Sequence, residues 1–151
     1  MNQLKSLLME SSKYYTPDIE EFHVGFELEA INTASNHPNI YEWVKFKLDL
    51  GLGEQWEHIE DYIDKNQIRV KYLDKSDIEE LGFTFLKADE ETYLVYYIKE
   101  DVVLAYMDIP TTQWIEIYTT KTYDPNGSRI VKAIINNKSE LKVLLNQLGI
   151  S

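Results

Sequence analysis

The chain has 151 residues, 44% of them hydrophobic and 27% charged, an ordinary composition for one globular domain. It contains no cysteine, which excludes disulfides, thiol catalysis and thiolate metal sites, and its net charge of -11 argues against general nucleic-acid binding. No run approaches the ~18 apolar residues of a membrane span, and the first eight residues are too polar for an export signal. We therefore expect a single cytoplasmic domain over residues 1–151 that does not enter a membrane.

Two short helical segments are predicted before the first strand. Residues 2–10 place leucines at helical spacing, and Thr16 followed by Pro17 has the pattern of an N-cap and a first helical position. Tyr14 and Tyr15 form an aromatic pair beside that start, which we interpret as part of a contact surface or the rim of a pocket.

Two alternating segments, residues 22–30 and 41–50, carry the clearest pattern in the chain. Apolar and polar residues alternate in both, as in half-buried strands, and the linker between them is rich in Asn, Ser and Pro. We predict an antiparallel hairpin with one apolar face and a charged outer face, on which acidic and basic side chains lie opposite each other. The outer-face residues are Glu27, Glu29, Lys45 and Lys47.

A helix, a strand and a short helical turn are predicted next. Residues 54–65 place apolar side chains on one helical face, and residues 67–73 alternate again. Ser76 and Glu79 have the spacing of a capping box, and Gly82 is a typical helix stop.

The second half of the sequence predicts an antiparallel meander followed by a helix. Five strand-like segments are separated by short turn-like segments, at residues 83–88, 92–99, 102–108, 114–119 and 129–135. Asn137 and Glu140 have capping-box spacing before a leucine stripe that stops at Gly149. The predicted fold class is α+β: a largely antiparallel sheet, hairpin plus meander, covered on one face by helices that include the C-terminal helix.

No enzyme motif is present in the sequence. There is no Walker loop, GxGxxG, GxSxG or HExxH pattern, and the three histidines show no metal-ligand spacing. His23, Glu27 and Glu29 share a predicted strand face, which we interpret as a solvated, ion-paired surface. We therefore predict no catalytic residue, no metal site and no cofactor.

The aromatic residues suggest a different kind of site. The chain has eleven tyrosines, three tryptophans and five phenylalanines, many of them on predicted strands. Aromatic side chains next to a few cations can stack on bases and hold phosphates, at ~1–3 kcal/mol per stacked base. The alternative is that these aromatics pack the sheet. The candidate ligand-binding residues are Arg69, Lys71, Tyr96, Trp114, Tyr118 and Arg129, with Lys132 as a further cation for a phosphate.

Three stretches, residues 21–29, 68–82 and 137–149, together resemble small proteins encoded by tailed phages and mobile elements of Bacteroidota. That group has no assigned activity, so the resemblance implies no catalytic residues to transfer. It implies a setting, the cytoplasm of an infected or lysogenic bacterium. Small phage accessory proteins outside the virion are often antagonists of host defence, which act on a defence protein or on a nucleotide signal.

Three functions remain open at this point. The first is a non-enzymatic phage accessory protein that binds and sequesters a nucleotide-like small molecule. The second is an acidic protein-interaction module that blocks a host protein, or a homo-oligomeric assembly unit paired through a sheet edge. The third is a hydrolase whose carboxylates are dispersed in the sequence.

Overall fold

The computed structural model describes residues 13–31, 42–49, 59–107, 113–120 and 129–151. Within these residues the α+β class is confirmed, because the chain forms two antiparallel sheets and three α-helices, one of them near the C-terminus. The strands form two sheets rather than the one we predicted. The chain divides into two compact units, Met1–Tyr72 and Leu73–Ser151, each of which contains one sheet. That the two units belong to a single domain over residues 1–151 stays a prediction.

In its described residues the first unit contains a four-stranded sheet of order β1-β4-β2-β3 and one α-helix. Its strands are β1 Tyr14–Tyr15, β2 Glu27–Ile31, β3 Trp43–Lys47 and β4 Ile68–Lys71; its helices are a 3-10 helix at Ile19–Glu21 and α1 at Ile59–Asp64.

The predicted antiparallel hairpin is confirmed, and so is the placement of its two glutamates opposite its two lysines. Strands β2 and β3 are antiparallel, with Glu27 opposite Lys47 and Glu29 opposite Lys45. On the other face, Leu28, Phe46 and Leu48 pack with α1 around Phe26, which has no exposed surface. Val44 of the same predicted apolar face is 44% exposed. Alternation therefore located the partner strand and most of the buried face, but not the exposure of Val44.

The start of the first unit differs from our prediction. The 3-10 helix begins after Asp18, not after Thr16, because the Asp18 and Glu21 side chains form the capping box. β2 begins at Glu27, not at residue 22, because Gly25 takes a φ of +89° and turns the chain into the strand. His23 consequently lies outside the strand, with its ring against Phe26 at a centroid distance of 5.4 Å.

The described part of the second unit contains a five-stranded meander of order β5-β6-β7-β8-β9 with two α-helices. Its strands are β5 Thr84–Asp89, β6 Leu94–Lys99, β7 Val102–Met107, β8 Trp114–Thr119 and β9 Val131–Ile134; its helices are α2 Lys75–Glu80 and α3 Lys138–Gln147. All five predicted strands are present, and the bounds of β8 match the prediction.

Side-chain caps position both helices of the second unit. Asn137 caps α3, as predicted, by accepting a hydrogen bond from the Glu140 backbone nitrogen at 3.0 Å. The predicted cap of α2 was wrong, since the capping box joins Asp74 and Asp77 instead of Ser76 and Glu79. Gly82 follows α2 with a φ of +89°, which agrees with its predicted role as a stop.

The two faces of the five-stranded sheet bury different side chains. One face packs with Ile78 of α2 and Leu141 and Leu145 of α3 in the largest apolar cluster of the second unit. The opposite face holds a smaller buried cluster of Tyr96, Val103, Ala105 and Tyr118. This second face also carries the charged residues described below.

Three parts of our predictions lie outside the described residues. They are the helix at residues 2–10, most of the linker of the hairpin, and the first residues of the helix predicted at 54–65.

Candidate functional site

A row of five directly paired residues crosses the second sheet from edge to edge. Lys87 of β5 lies opposite Tyr96 of β6, which lies opposite Ala105 of β7. Ala105 in turn lies opposite Glu116 of β8, which lies opposite Lys132 of β9. Directly paired residues share a face, so this row defines a surface that we call the Glu116 face.

Glu116 is the buried acidic residue in the middle of this surface, with 6% of its surface exposed. Its Oε1 accepts a hydrogen bond from Arg129 Nη1 at 2.5 Å, and Oε2 accepts one from the Tyr118 hydroxyl. Lys132 Nζ lies 3.5 Å from Oε1. One carboxylate therefore holds two cations and one phenol, in agreement with the rule that buried charges are paired.

These contacts keep Glu116 ionised in spite of its burial. Burial alone would raise the pKa of this carboxyl, but the hydrogen bonds from Tyr118 and Arg129 and the charges of Arg129 and Lys132 outweigh it. The pKa of Glu116 therefore lies below its usual value of 4.5. Burial and the Glu116 carboxylate raise the pKa of Tyr118, so that its hydroxyl stays a donor.

The two cations beside Glu116 are only half covered. Arg129 and Lys132 have 47% and 49% of their side-chain surface exposed, whereas the carboxylate between them is 8% exposed. Lys132 Nζ lies 4.0 Å from the centroid of the Trp114 ring, which is cation-π distance. At the other end of the row, Lys87 Nζ lies 4.9 Å from the Tyr96 ring.

Exposed aliphatic side chains border the cations on β9. Ile134 pairs directly with Trp114 and is 72% exposed, and Ile130, next to Arg129, is 46% exposed. The β9 end of the Glu116 face thus combines half-exposed positive charge, an indole ring and solvent-facing apolar surface.

A second cation-aromatic cluster lies in the first unit, around Arg69. The Arg69 guanidinium carbon is 3.8 Å from the Tyr14 ring centroid and 4.2 Å from the Trp43 ring centroid. Arg69 Nε donates to Glu29 Oε2 at 2.6 Å, and both side chains are at least four-fifths buried. This guanidinium is covered by its own protein on several sides, so it is poorly placed to receive a ligand.

The six predicted ligand-binding residues belong to these two clusters. Tyr96, Trp114, Tyr118 and Arg129 lie in the second unit on or beside the Glu116 face. Arg69 and Lys71 lie in the first unit, on β4, where Lys71 pairs with Tyr14 of β1. Their role in binding stays a prediction.

Neither Glu116 nor Lys87 is among the ligand-binding residues that we predicted from the sequence. Glu116 sits between Trp114 and Tyr118 at period 2, which places all three on one face of a strand. A lone carboxylate at the centre of an otherwise apolar and aromatic strand was the available signal. Its two cationic partners come from beyond that strand, and no local pattern connects them to it.

Among the described residues, no group of three or more histidine, aspartate or glutamate side chains is arranged to hold a metal ion. None of the helices in that part of the chain is long and apolar enough to cross a membrane. Comparison with known protein families, with characterised proteins and with solved structures found no match.

Proposed function

We propose that the protein is a non-enzymatic binding protein that sequesters a nucleotide-like small molecule at the β9 end of the Glu116 face. The observation that carries the proposal is the pair of half-exposed cations, Arg129 and Lys132, held side by side by one buried carboxylate next to Trp114. A phosphate would contact the cations, and a base would lie against the indole and the exposed Ile134 side chain.

Among the contacts between described residues, both cations have donors left for a phosphate. Arg129 contacts Glu116 through one Nη1 hydrogen bond, while a guanidinium has five N–H donors. Lys132 Nζ is 3.5 Å from the Glu116 carboxylate, longer than a charge-assisted hydrogen bond of ~2.7–2.9 Å. A phosphate oxygen could therefore bind between them without breaking the Arg129–Glu116 contact.

Glu116 has a positioning role in this proposal. Two adjacent cations repel each other, and the carboxylate between them offsets that repulsion in the ligand-free protein. The remaining charge of the three groups is positive by one unit, which suits an anion of low charge. Because the whole chain carries a net charge of -11, this local positive charge would be needed to attract an anion.

The resemblance to phage-encoded proteins supports a biological setting for such binding. A small cytoplasmic protein made during infection that removes a nucleotide signal would act as an antagonist of host defence. It would work stoichiometrically and needs no catalytic group, in keeping with the lack of an enzyme motif in the sequence.

A thermal-shift screen against mononucleotides and cyclic dinucleotides tests the proposal. A ligand that binds only the folded protein stabilises it by about 2.7 kcal/mol at one hundred times its dissociation constant. We expect a rise in melting temperature with at least one nucleotide, followed by direct measurement of its affinity by calorimetry.

Two lysine variants separate the proposed site from general electrostatics. Lys132→Gln should lower the affinity for the nucleotide about tenfold or more. The substitution removes a contact to the phosphate and the cation that lies over the Trp114 ring. Lys87→Gln removes the same charge from the other end of the same row and should leave the affinity within about twofold. No stabilisation by any nucleotide, or equal losses in both variants, would contradict the proposal.

A further inference from the structure

The outermost strand on one side of the second sheet, β5, is exposed along almost its whole length. In the described part of the chain β5 pairs only with β6, and each of its residues from Thr84 to Ala88 is exposed. An edge strand of this kind presents backbone N–H and C=O groups that an extended segment from another molecule can pair with.

Apolar side chains on β5 add to this exposure. Phe85 is 59% exposed and Leu86 is 41% exposed. The Phe85 ring makes an edge-on contact with the Tyr97 ring at a centroid distance of 6.2 Å. This contact covers part of the Phe85 ring, and the rest of that ring is accessible. A β-bulge between Phe85 and Lys87 leaves Leu86 without a directly opposite residue on β6.

Acidic residues flank the strand at both ends. At its C-terminal end Asp89, Glu90 and Glu91 follow one another, and hydrogen bonds from Thr92 and Glu91 lower the pKa of Asp89, so it stays ionised. A few residues before the N-terminal end, exposed Glu79 and Glu80 close helix α2. The edge thus carries exposed Phe85 and Leu86 beside the cationic Lys87, with carboxylates beyond each end of the strand. Of these carboxylates, Glu80 is ion-paired with Lys138 at 2.5 Å.

This charge distribution disfavours a second copy of the chain as the partner. In a symmetric antiparallel pair of β5 strands, the carboxylates of residues 89–91 in each copy would meet the end of the other copy that Glu79 precedes. Each copy also carries a net charge of -11. Like charges brought together in this way are destabilising.

We propose that β5 is a docking edge for an extended, basic segment of a partner protein, which adds as a sixth strand to the second sheet. Backbone hydrogen bonds would supply affinity, and apolar side chains of the segment would cover Phe85 and Leu86. Its lysines or arginines would reach the carboxylates of residues 89–91. The proposal is independent of the ligand proposed for the Glu116 face.

Labelled synthetic peptides test strand addition directly by fluorescence anisotropy. The probe is acetyl-Lys-Val-Lys-Ile-Lys-Val-Lys-amide, compared with the same peptide carrying glutamate for lysine. Two further versions carry backbone N-methyl groups on the apolar residues or on the lysines. Because alternate N–H groups of a strand point to opposite sides, we expect one methylated version to lose about tenfold in affinity and the other to keep it. Equal binding of both would overturn the proposal, as would equal binding of the acidic peptide.

Variants of the protein locate the edge. Leu86→Lys should weaken binding of the basic peptide about tenfold, whereas Ile134→Lys on β9, the opposite edge of the same sheet, should not. The double variant Glu90→Lys and Glu91→Lys should also weaken it, while Glu20→Lys with Glu60→Lys, an equal charge change on exposed residues of the first unit, should have a smaller effect. Loss of binding in Ile134→Lys alone would overturn the assignment to β5. A dimer of the free protein that Leu86→Lys dissociates would assign the edge to a second copy instead.

Discussion

At the scale of single residues, Glu116 is held as a charged group inside the protein by two hydrogen-bond donors and one further cation. Tyr118 and Arg129 donate hydrogen bonds to it, and Lys132 adds a nearby charge. A buried carboxylate without such partners would take up a proton or destabilise the fold. Here the partners lower its pKa, so the ionised form belongs to the folded state at neutral pH.

The lowered pKa of Glu116 makes a prediction about stability and pH. A carboxyl whose pKa is lower in the folded than in the unfolded chain stabilises the protein above its usual pKa of 4.5, and this contribution is lost as the pH falls below that value. Glu116→Gln should cost about 1–3 kcal/mol at pH 7. The difference from the unchanged protein should shrink in urea unfolding at lower pH, below the usual pKa of 4.5.

The control for this experiment is an acidic residue in an exposed ion pair. Asp61 pairs with Lys65 at 2.6 Å, with 59% of its side-chain surface exposed. Asp61→Asn should change the free energy of unfolding by less than about 0.5 kcal/mol. A loss in Glu116→Gln that stays constant from pH 7 into the acid range would show that its cause is packing and not charge.

At the scale of secondary structure, capping side chains decide where the short helices begin. Helix α3 has ten residues, fewer than an isolated helix needs for stability in water. It depends on burial of Leu141 and Leu145 and on its N-cap. Asn137 is 2% exposed, so its hydrogen bond to the Glu140 backbone nitrogen is protected from solvent.

The N-cap makes a prediction that belongs to this element. Asn137→Ala should lower the free energy of unfolding by about 1–2 kcal/mol, because it leaves a backbone donor of the first turn without its acceptor. Asn146→Ala, on an exposed position of the same helix, should leave stability unchanged or raise it slightly. Chemical denaturation of both variants measures the difference. Equal losses would mean that the cap contributes little beyond helix propensity.

At the scale of the whole molecule, the surplus of acidic residues shapes behaviour in solution. A net charge of -11 over 151 residues opposes the compact state by self-repulsion. Half-buried pairs such as Arg129–Glu116 are screened less by salt than the exposed carboxylates are.

The melting temperature should therefore rise with ionic strength. Between about 10 mM and 150 mM salt the Debye length falls from about 30 Å to 8 Å, which screens the repulsion between carboxylates. Calorimetry in sodium chloride shows whether the melting temperature rises or falls with ionic strength. The same measurement in potassium chloride separates charge screening from binding of a particular cation. A fall in melting temperature would mean that ion pairs outweigh repulsion in the net balance.

Local patterns predicted most of the secondary structure in the described part of the chain. The alternation in β2 and β3 located the hairpin and its register, and five successive alternating segments predicted the meander. The errors lie where one side chain or one backbone angle decides at which residue a helix or strand begins, as at Asp18, Gly25 and Asp74. Several residues near each of those points could have served as the cap, and their spacing alone does not distinguish them.

The sequence by itself determined the α+β class, the antiparallel strands, the capped C-terminal helix and the acidic character, because each follows from composition or from contacts between residues close in the chain. Only the tertiary structure decided that the strands form two sheets and that Glu116 lies between Arg129 and Lys132. Those features depend on which strands pair and on the register of β8 with β9. Such long-range pairing is set by the burial of whole faces, a property of the folded chain that no short stretch of sequence contains.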